Sequence, residues 1–365
     1  MNDLAHTYAL IMAGGGGTRL WPLSRRNRPK QVLPLVEKRS LFQTTFERLE
    51  SLFPPERILV VTVQEQAEAL KLQVPDIPDE NFLLEPAPRG TASAIGLGAV
   101  ALKKRDSQAV MAVLPADHYI RNQALFSRLV RTAVTVAQKG YLVTMGIAPT
   151  YPATIYGYIQ SDAPLPEPFD YPVHHVVRFI EKPQEEQARA LIETGNCSWN
   201  SGMFFWKVDD LLAEMSRQMP DLHAVLTQIG AAWGTDQQES TLKALWPGLR
   251  NETIDYGIME HAERVAVLPA SELEWNDIGN WNSLFDVLPA DENGNIVFGS
   301  HHVTVDTSNS LVYGNHGDHL IVTIGVEDLV IVDSGNALLI CHKGQAARVR
   351  QIVEKLKNSD REHYT

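Results

Sequence analysis

The most constraining feature of the chain is a short apolar run over residues 8–13, Tyr-Ala-Leu-Ile-Met-Ala, that stops at four consecutive glycines, Gly14 to Gly17. So short an apolar run, closed by glycine, predicts a buried strand. Glycines directly after a strand let backbone N–H groups approach a phosphate with no Cβ in the way. Thr18 and Arg19 follow at once and Lys30 soon after, so basic side chains would add charge to that cradle. The string is not a P-loop, because no Gly-Lys-Ser/Thr follows. Nor is it a dinucleotide fingerprint, since Arg19-Leu20-Trp21-Pro22 interrupts where the helix should begin.

Strand and helix patterns alternate onward from the glycines. Over 40–51, Leu41, Phe42, Thr45, Phe46 and Leu49 share one helical face, with Ser40 as N-cap. Strands are predicted over 57–63, 81–84, 109–114 and 141–147, and helices over 64–73, 91–104 and 122–138. This β-α-β-α order implies an α/β fold with a mostly parallel sheet covered on both faces. Ligands in such sheets sit beyond the carboxyl ends of the strands. That directs attention to Gly14 to Arg19, Glu85 to Arg89, and Asp117. Further along, the prolines of 161–172 read as a surface loop. A strand is expected over 174–181, and helices over 185–194, 208–218 and 253–263. From about 291 helical periods give way to short β-like runs, and residues 305–312 echo 332–339 at a spacing of 27. The echo fits stacked β coils. An amphipathic helix over 345–357 closes the chain, and a domain boundary is placed near 290, giving domains 1–290 and 291–365.

The 365 residues suit roughly two domains, and an apolar share of 44% can fill a sizeable core. A net charge of −12 argues against general nucleic-acid binding. The charge is uneven, however. Residues 1–39 hold seven basic and two acidic side chains, while 40–365 hold 25 basic and 42 acidic. Positive charge is therefore concentrated around the glycines, and an acidic protein can still take a compact polyanion there. Cys197 and Cys341 cannot form a disulfide framework and read as small buried residues. No apolar stretch is long enough to span a membrane and the N-terminus lacks a secretory pattern, so the expectation is a cytoplasmic protein with no membrane partner.

Seven strings in order carry a family resemblance. They are residues 13–35 with Trp21-Pro22-Leu23-Ser24 and Pro29-Lys30-Gln31; Glu85-Pro86 with Arg89 and Thr91; Leu114-Pro115-Ala116-Asp117-His118; Phe179-Ile180-Glu181-Lys182-Pro183; Trp199-Asn200-Ser201-Gly202-Met203; residues 254–260, Ile-Asp-Tyr-Gly-Ile-Met-Glu; and residues 275–281, Trp-Asn-Asp-Ile-Gly-Asn-Trp. Together they resemble the sugar-1-phosphate nucleotidyltransferases, most closely the mannose-1-phosphate guanylyltransferases. The resemblance implies a Rossmann-like nucleotidyltransferase domain with a mixed, mostly parallel sheet, plus a small C-terminal β-helix-like domain supporting a homodimer. Longer members append an isomerase domain; the stretch after position 290 is too short for one, which suggests the short, monofunctional form.

The activity so implied is transfer of GMP from GTP to mannose 1-phosphate, giving GDP-mannose and pyrophosphate. The nucleophile is a phosphate monoester, largely dianionic near neutrality, so cations and positioning are needed rather than a general base. The resemblance assigns Arg19, Lys30, Asp117 and Asp277 to catalysis, with Lys30 at the α-phosphate and Arg19 at the leaving pyrophosphate. Asp117 and Asp277 together would hold Mg²⁺, which takes few carboxylates and keeps substrate phosphates as ligands. Gly14, Gly15, Gly16, Gly17, Thr18, Glu85, Pro86, Arg89 and Thr91 would bind the nucleotide, with Glu85 or nearby backbone accepting from guanine. Gly157, Glu181, Lys182 and Asn200 would take the sugar phosphate.

Other residues read more plainly. Arg25, Arg26 and Arg28 look like a solvated loop, and Trp199, Trp206, Trp275 and Trp281 like packing around the pocket. His301, His302, His316, His319 and His342 invite a metal reading, with His316-x-x-His319 at a possible ligand spacing, but no acidic third ligand accompanies them. Open alternatives are another base or sugar, or a catalytically inactive nucleotide-sugar-binding regulatory subunit. An NAD oxidoreductase is a more distant rival.

Overall fold

The structure, a computed structural model, describes residues 4–299, 301–314 and 319–365. Its main sheet uses β1 (Thr7–Met12), β2 (Ile58–Val63), β3 (Phe82–Glu85) and β4 (Val110–Pro115), while β5 (Tyr119–Ile120) stands apart. Then come β6 (Leu142–Ile147), β7 (Tyr158–Pro164), β8 (His174–Ile180), β9 (Cys197–Lys207) and β10 (Val265–Pro269). Strand order is β3-β2-β1-β4-β9-β6-β10-β8-β7. Only β8 and β9 oppose the direction of the other seven. A two-stranded ribbon pairs β5 with β11 (Trp275–Asn276).

Period-2 alternation divides the core. Ala9, Ile11, Met203 and Phe205 face one side, toward α1 (Leu41–Glu50) and α4 (Gln123–Gln138). Leu10, Phe204 and Trp206 face the other, toward α3 (Gly90–Arg105), α6 (Val208–Gln218) and α7 (Pro220–Ala232). In chain order, α2 (Gln64–Gln73), α5 (Glu185–Glu193), α8 (Gln238–Leu245) and the terminal α9 (Val349–Lys357) complete the helices. Ser40 caps α1 through a reciprocal box with Gln43, at 3.0 and 3.1 Å. A Cβ on Gly98 of α3 would overlap the side chain of Leu10, so that glycine lets the helix lie close on β1.

Several elements differ from expectation. The helix expected over 253–263 is a single π-helical turn, Asp255–Met259, where Gly257 backs against Met219. The proline-rich stretch contributes the end of β7, with Pro164 at the sheet edge, where a missing N–H is tolerated. The sequence pattern does not single out the central antiparallel β9 or helices α7 and α8. Cys197 and Cys341 are half-buried rather than buried.

The C-terminal region stacks parallel strands in two sheets. One contains β12 (Ile296–Phe298), β14 (Leu311–Gly314), β16 (Leu329–Asp333) and an antiparallel β17 (Leu338–His342). The other pairs β13 (His301–Val305) with β15 (Leu320–Ile324). His301 pairs with Leu320 and Leu311 with Val330, so one turn of the coil is shorter than the spacing of the sequence echo. The echo therefore does not mark a coil: Val305 and Val332 lie in different sheets. What recurs is the corner. Asn309 and Asp328, one turn apart, both have left-handed backbone, and the Asn309 amide donates to the Asp328 carboxylate. Asn and Asp tolerate that conformation and β-branched residues do not.

A third core joins the two regions. Leu20, Trp21, Leu23, Leu33 and Leu35 pack with Trp281, Leu311, Val330, Val349 and Val353. Trp281 Nε1 donates to the Trp21 carbonyl at 3.0 Å. Among the described residues no helix is long and apolar enough to cross a membrane.

The corner geometry generates a test. Asn309→Val is expected to lower unfolding stability by about 1–3 kcal/mol in urea titrations, through left-handed strain. Asn309→Gly, which loses the amide but fits the backbone, should lose less.

Candidate active site

The adjacency of β3, β2, β1 and β4 brings their carboxyl ends together, and the residues just past them form one cavity of about 370 Å³. Gly14, Gly15, Gly17, Lys30, Glu85, Arg89, Thr91, Asp117 and Asp255 are among its lining residues. The glycine loop is held from below. Gln31 Nε2 donates to the Ala13 carbonyl at 2.8 Å and to Gln66 Oε1 at 2.9 Å, and Thr62 Oγ1 reaches the same carbonyl at 3.0 Å. Gly17 has φ +58°, and a Cβ there would overlap Lys30 Cβ. Close contact with Gly17 thus lets Lys30 lie beneath the loop.

Lys30 is only 6% exposed. Its Nζ donates to Asp117 Oδ2 at 2.7 Å and to the backbone carbonyl of Asp277. One buried ammonium therefore ties together two aspartate positions that are remote from each other in sequence. Burial pushes the Asp117 carboxyl up, but the Lys30 and His118 charges and the hydrogen bonds to the carboxylate together outweigh it and hold the group below the ordinary carboxylate range. Asp277 Oδ1 accepts from Tyr156 Oη at 2.8 Å and from the Gly279 N–H at 3.1 Å. The next residue, Ile278, has φ +44°, a strained conformation for a β-branched side chain. Among the described residues no group of three or more His, Cys, Asp and Glu side chains could hold a metal. Asp117 lines the cavity and Lys30 links it to the Asp277 backbone; two such hard carboxylates would suit Mg²⁺, which binds through one or two carboxylates plus phosphates.

Glu85 closes the inner end of the cavity. It is 4% exposed, and among the described residues its Oε1 has no hydrogen-bond partner. Burial pushes its carboxyl up to about 7, against a smaller opposing effect of the Arg89 N–H. Such an acceptor suits a ligand with N–H donors.

Gly157, Glu181, Lys182 and Asn200 gather outside this cavity and reach it through Asp255. A Cβ at Gly157 would overlap Glu181 Oε2, and the Gly157 carbonyl accepts from Asn200 N at 2.8 Å. Glu181 pairs with Lys182, whose φ is +47°. Asn200 Nδ2 donates to Asp255 Oδ1 at 2.6 Å.

Other expected positions are less direct. Arg19 is half-buried and does not line this cavity. Gly16 and Thr18 line a neighbouring one. Pro86 is exposed. Thr91 Oγ1 accepts from the Ile254 N–H at 2.9 Å, so its hydroxyl braces the wall. Arg89 donates to the Pro247 carbonyl at 2.7 Å. Arg25 is not free in solvent: it donates to the Tyr364 carbonyl and to Asn336 of the C-terminal region. Trp206 and Trp281 are core residues, whereas Trp199 and Trp275 flank Tyr156 with centroids 4.9 and 5.7 Å away. His302 meets Thr323 Oγ1 and His319 meets Asp333, while His316 lies outside the described residues.

Sequence reasoning missed Tyr156 as an Asp277 partner, Asp255, and Arg48. The Arg48 guanidinium is buried without a carboxylate; it bonds Thr45 at 3.1 Å and lies over the Phe126 ring. Asp255 and Tyr156 stand inside or beside the quoted strings, but nothing in their spacing announces their partners.

Residues 8–294 match the family model described as Nucleotidyl transferase, and 300–356 match that of the MannoseP isomerase/GMP-like beta-helix domain. The mannose-1-phosphate guanylyltransferase of Klebsiella pneumoniae is 37% identical over 357 residues, 97% of this chain and 75% of that one. Alginate biosynthesis protein AlgA of Pseudomonas putida is 37% identical over 365 residues, 96% of this chain and 72% of that one. A solved structure described as mannose-1-phosphate geranyltransferase from Thermus thermophilus is 36% identical, with a TM-score of 0.86, covering 96% of this chain and 99% of that one.

The raised Glu85 carboxyl sets a pH test of stability. The folded protein retains a proton that the unfolded chain releases above its ordinary value of 4.5, so stability falls as pH rises from there through about 7. Glu85→Gln removes this penalty and should stabilise the unliganded protein by up to about 3 kcal/mol near pH 8. The gain should fade toward pH 5 in urea unfolding.

Proposed function

Because the chain belongs to the nucleotidyl transferase family, we propose that it transfers GMP from GTP to mannose 1-phosphate, releasing pyrophosphate. The observation that carries this reading is the buried Lys30, bonded to Asp117 and to the Asp277 backbone at the mouth of a cavity that ends on Glu85. In the reaction a phosphate oxygen of mannose 1-phosphate forms a bond to the α-phosphorus of GTP. The bond from that phosphorus to the β-phosphate bridging oxygen breaks, and its electrons leave with pyrophosphate. No proton need be removed from the nucleophile, because a phosphate monoester is largely dianionic near neutrality. The protein's work is alignment and charge neutralisation.

In this reading Lys30 faces the α-phosphate and the N–H groups of the glycine loop face the triphosphate. Arg19, half-buried beside that loop, would turn toward the β- and γ-phosphates. Asp117 and Asp277 would hold Mg²⁺, which supplies further positive charge to the phosphates. Glu85 accepts from guanine N1–H and N2–H₂, donors that adenine lacks in that arrangement. Glu181 and Lys182 serve the sugar and its phosphate. GTP as substrate and two unpaired cysteines fit a cytoplasmic setting.

A homodimer formed through the C-terminal region is part of the same proposal. Val303, Val305, Leu320, Val322 and Ile324 lie exposed on one face of the β13–β15 sheet. A second copy of this flat apolar face is its fitting cover. Val322→Asp with Ile324→Asp should give a monomer in analytical ultracentrifugation; an unchanged dimer would place the interface elsewhere.

The enzymatic reading is tested by pyrophosphate release across a panel of nucleoside triphosphates and sugar 1-phosphates. GTP with mannose 1-phosphate should be the preferred pair, and lack of that preference overturns the reading. Asp117→Asn should lower kcat by about 100-fold or more. Glu85→Gln should raise the KM for GTP by about 10-fold or more while narrowing the preference for GTP over ATP.

A further inference from the structure

We propose that Asp255 is the specificity-determining carboxylate for the sugar, and that Asn200 positions it. The inference rests on the transferase reading above. It starts from how fully the Asn200 amide is already used. Its Oδ1 accepts from the Gly202 N–H at 3.1 Å and from Thr144 Oγ1 at 3.3 Å, and its Nδ2 donates to Asp255 Oδ1. The acceptor side is committed to backbone and core, and one of the two amide hydrogens to a carboxylate, so the side chain's orientation is fixed by the protein.

Asp255 is the reverse case. It lines the cavity at the end where Gly202 and Ile254 meet it, and it stands near Glu181. Its location is fixed by the single π-helical turn that begins with it, anchored through Thr91 on the Ile254 N–H. The only side chain that donates to it among the described residues is Asn200. Burial first, and then the Glu181 charge, push its carboxyl up to about 6, so the folded protein does not satisfy this anion by itself. Glu181, by contrast, has Lys182 as its counter-charge.

Two carboxylates with one ammonium between them leave acceptor capacity that wants O–H donors rather than another anion. A hexose ring presents such donors in a row, with spacing and direction fixed by its stereochemistry. Glu181 and Asp255 on the two sides of Gly157 and Asn200 would then each accept from a different ring hydroxyl. A ring epimer that turns one hydroxyl away leaves a buried carboxylate unpaired, which gives strong discrimination.

The test is Asp255→Asn in the full-length protein, with initial rates of pyrophosphate release. The KM for mannose 1-phosphate should rise by about 10- to 100-fold, the size expected when a hydrogen bond to a buried charge is lost. The KM for GTP should stay within about two-fold of the parent. The ratio of kcat/KM for mannose 1-phosphate over glucose 1-phosphate should collapse toward one. Asn200→Ala should move the same sugar parameters in the same direction with GTP unaffected. A merely structural role would shift both substrates together and leave the sugar ratio intact, and either result overturns the assignment. A rise in the GTP KM alone would place Asp255 at the nucleotide and overturns it equally. Thermal melting of Asp255→Asn should be at or above that of the parent, since a buried anion is replaced by a neutral isostere. If the parent instead prefers another hexose 1-phosphate, the comparison is run on that sugar, so the proposal can stand or fall apart from the choice of mannose.

Discussion

The site depends on one buried ammonium. Lys30 lies under the glycine loop, touches the Asp117 carboxylate and caps the backbone carbonyl of Asp277. A lysine in that position would be expensive without a counter-charge. The arrangement supplies one from β4 and a carbonyl from the loop after β11, so three distant stretches of chain have to converge before the lysine is tolerated. Convergence is set lower down, by a sheet order that puts the ends of β1 and β4 side by side and by a glycine that admits Lys30 at close range. The electrostatics of the site are therefore an outcome of topology.

Two features of the cavity have a common physical character. Among the described residues, Glu85 lines it with a buried, unpartnered oxygen, and Asp255 lines it with a single side-chain donor. Both carboxyls are held above their ordinary range by burial. In each case the folding reaction leaves a polar group unsatisfied, and a ligand with the right donors can complete it. The loop glycines on the same cavity offer N–H groups with no side chain in the way. Acceptors and donors lining one cavity describe a ligand that carries both N–H or O–H groups and phosphates.

Much of this was legible in the sequence, and the reasons are specific. Apolar runs ended by Gly14, by Glu85 and by Pro115 marked the carboxyl ends of three strands, because buried parallel strands carry continuous apolar residues. The seven strings named most residues that the fold brings together. What stayed hidden depends on side-chain direction. Asn200 and Asp255 are both visible in their strings, but which of them faces the cavity turns on a bond between two distant strings. The echo in the C-terminal region misleads because valine is common on every strand of a β coil, so similar strings arise out of register. The informative residues are those at the corners, Asn309 and Asp328, where backbone sign rather than hydropathy selects the residue.

The third core has a consequence for what counts as a unit of this protein. The two family matches divide the chain between 294 and 300. The packing does not, because Leu20, Trp21 and Leu23 from beside the glycine loop share one interior with Leu311, Val330 and Val353, and Trp21 Nε1 donates to the Tyr364 carbonyl at 2.7 Å. The boundary between the family matches and the boundary of the packed interior are then different. A cut at the seam between the two matches would leave the segment after the glycine loop with a bare apolar surface, so the β coils are in effect the floor on which that loop stands.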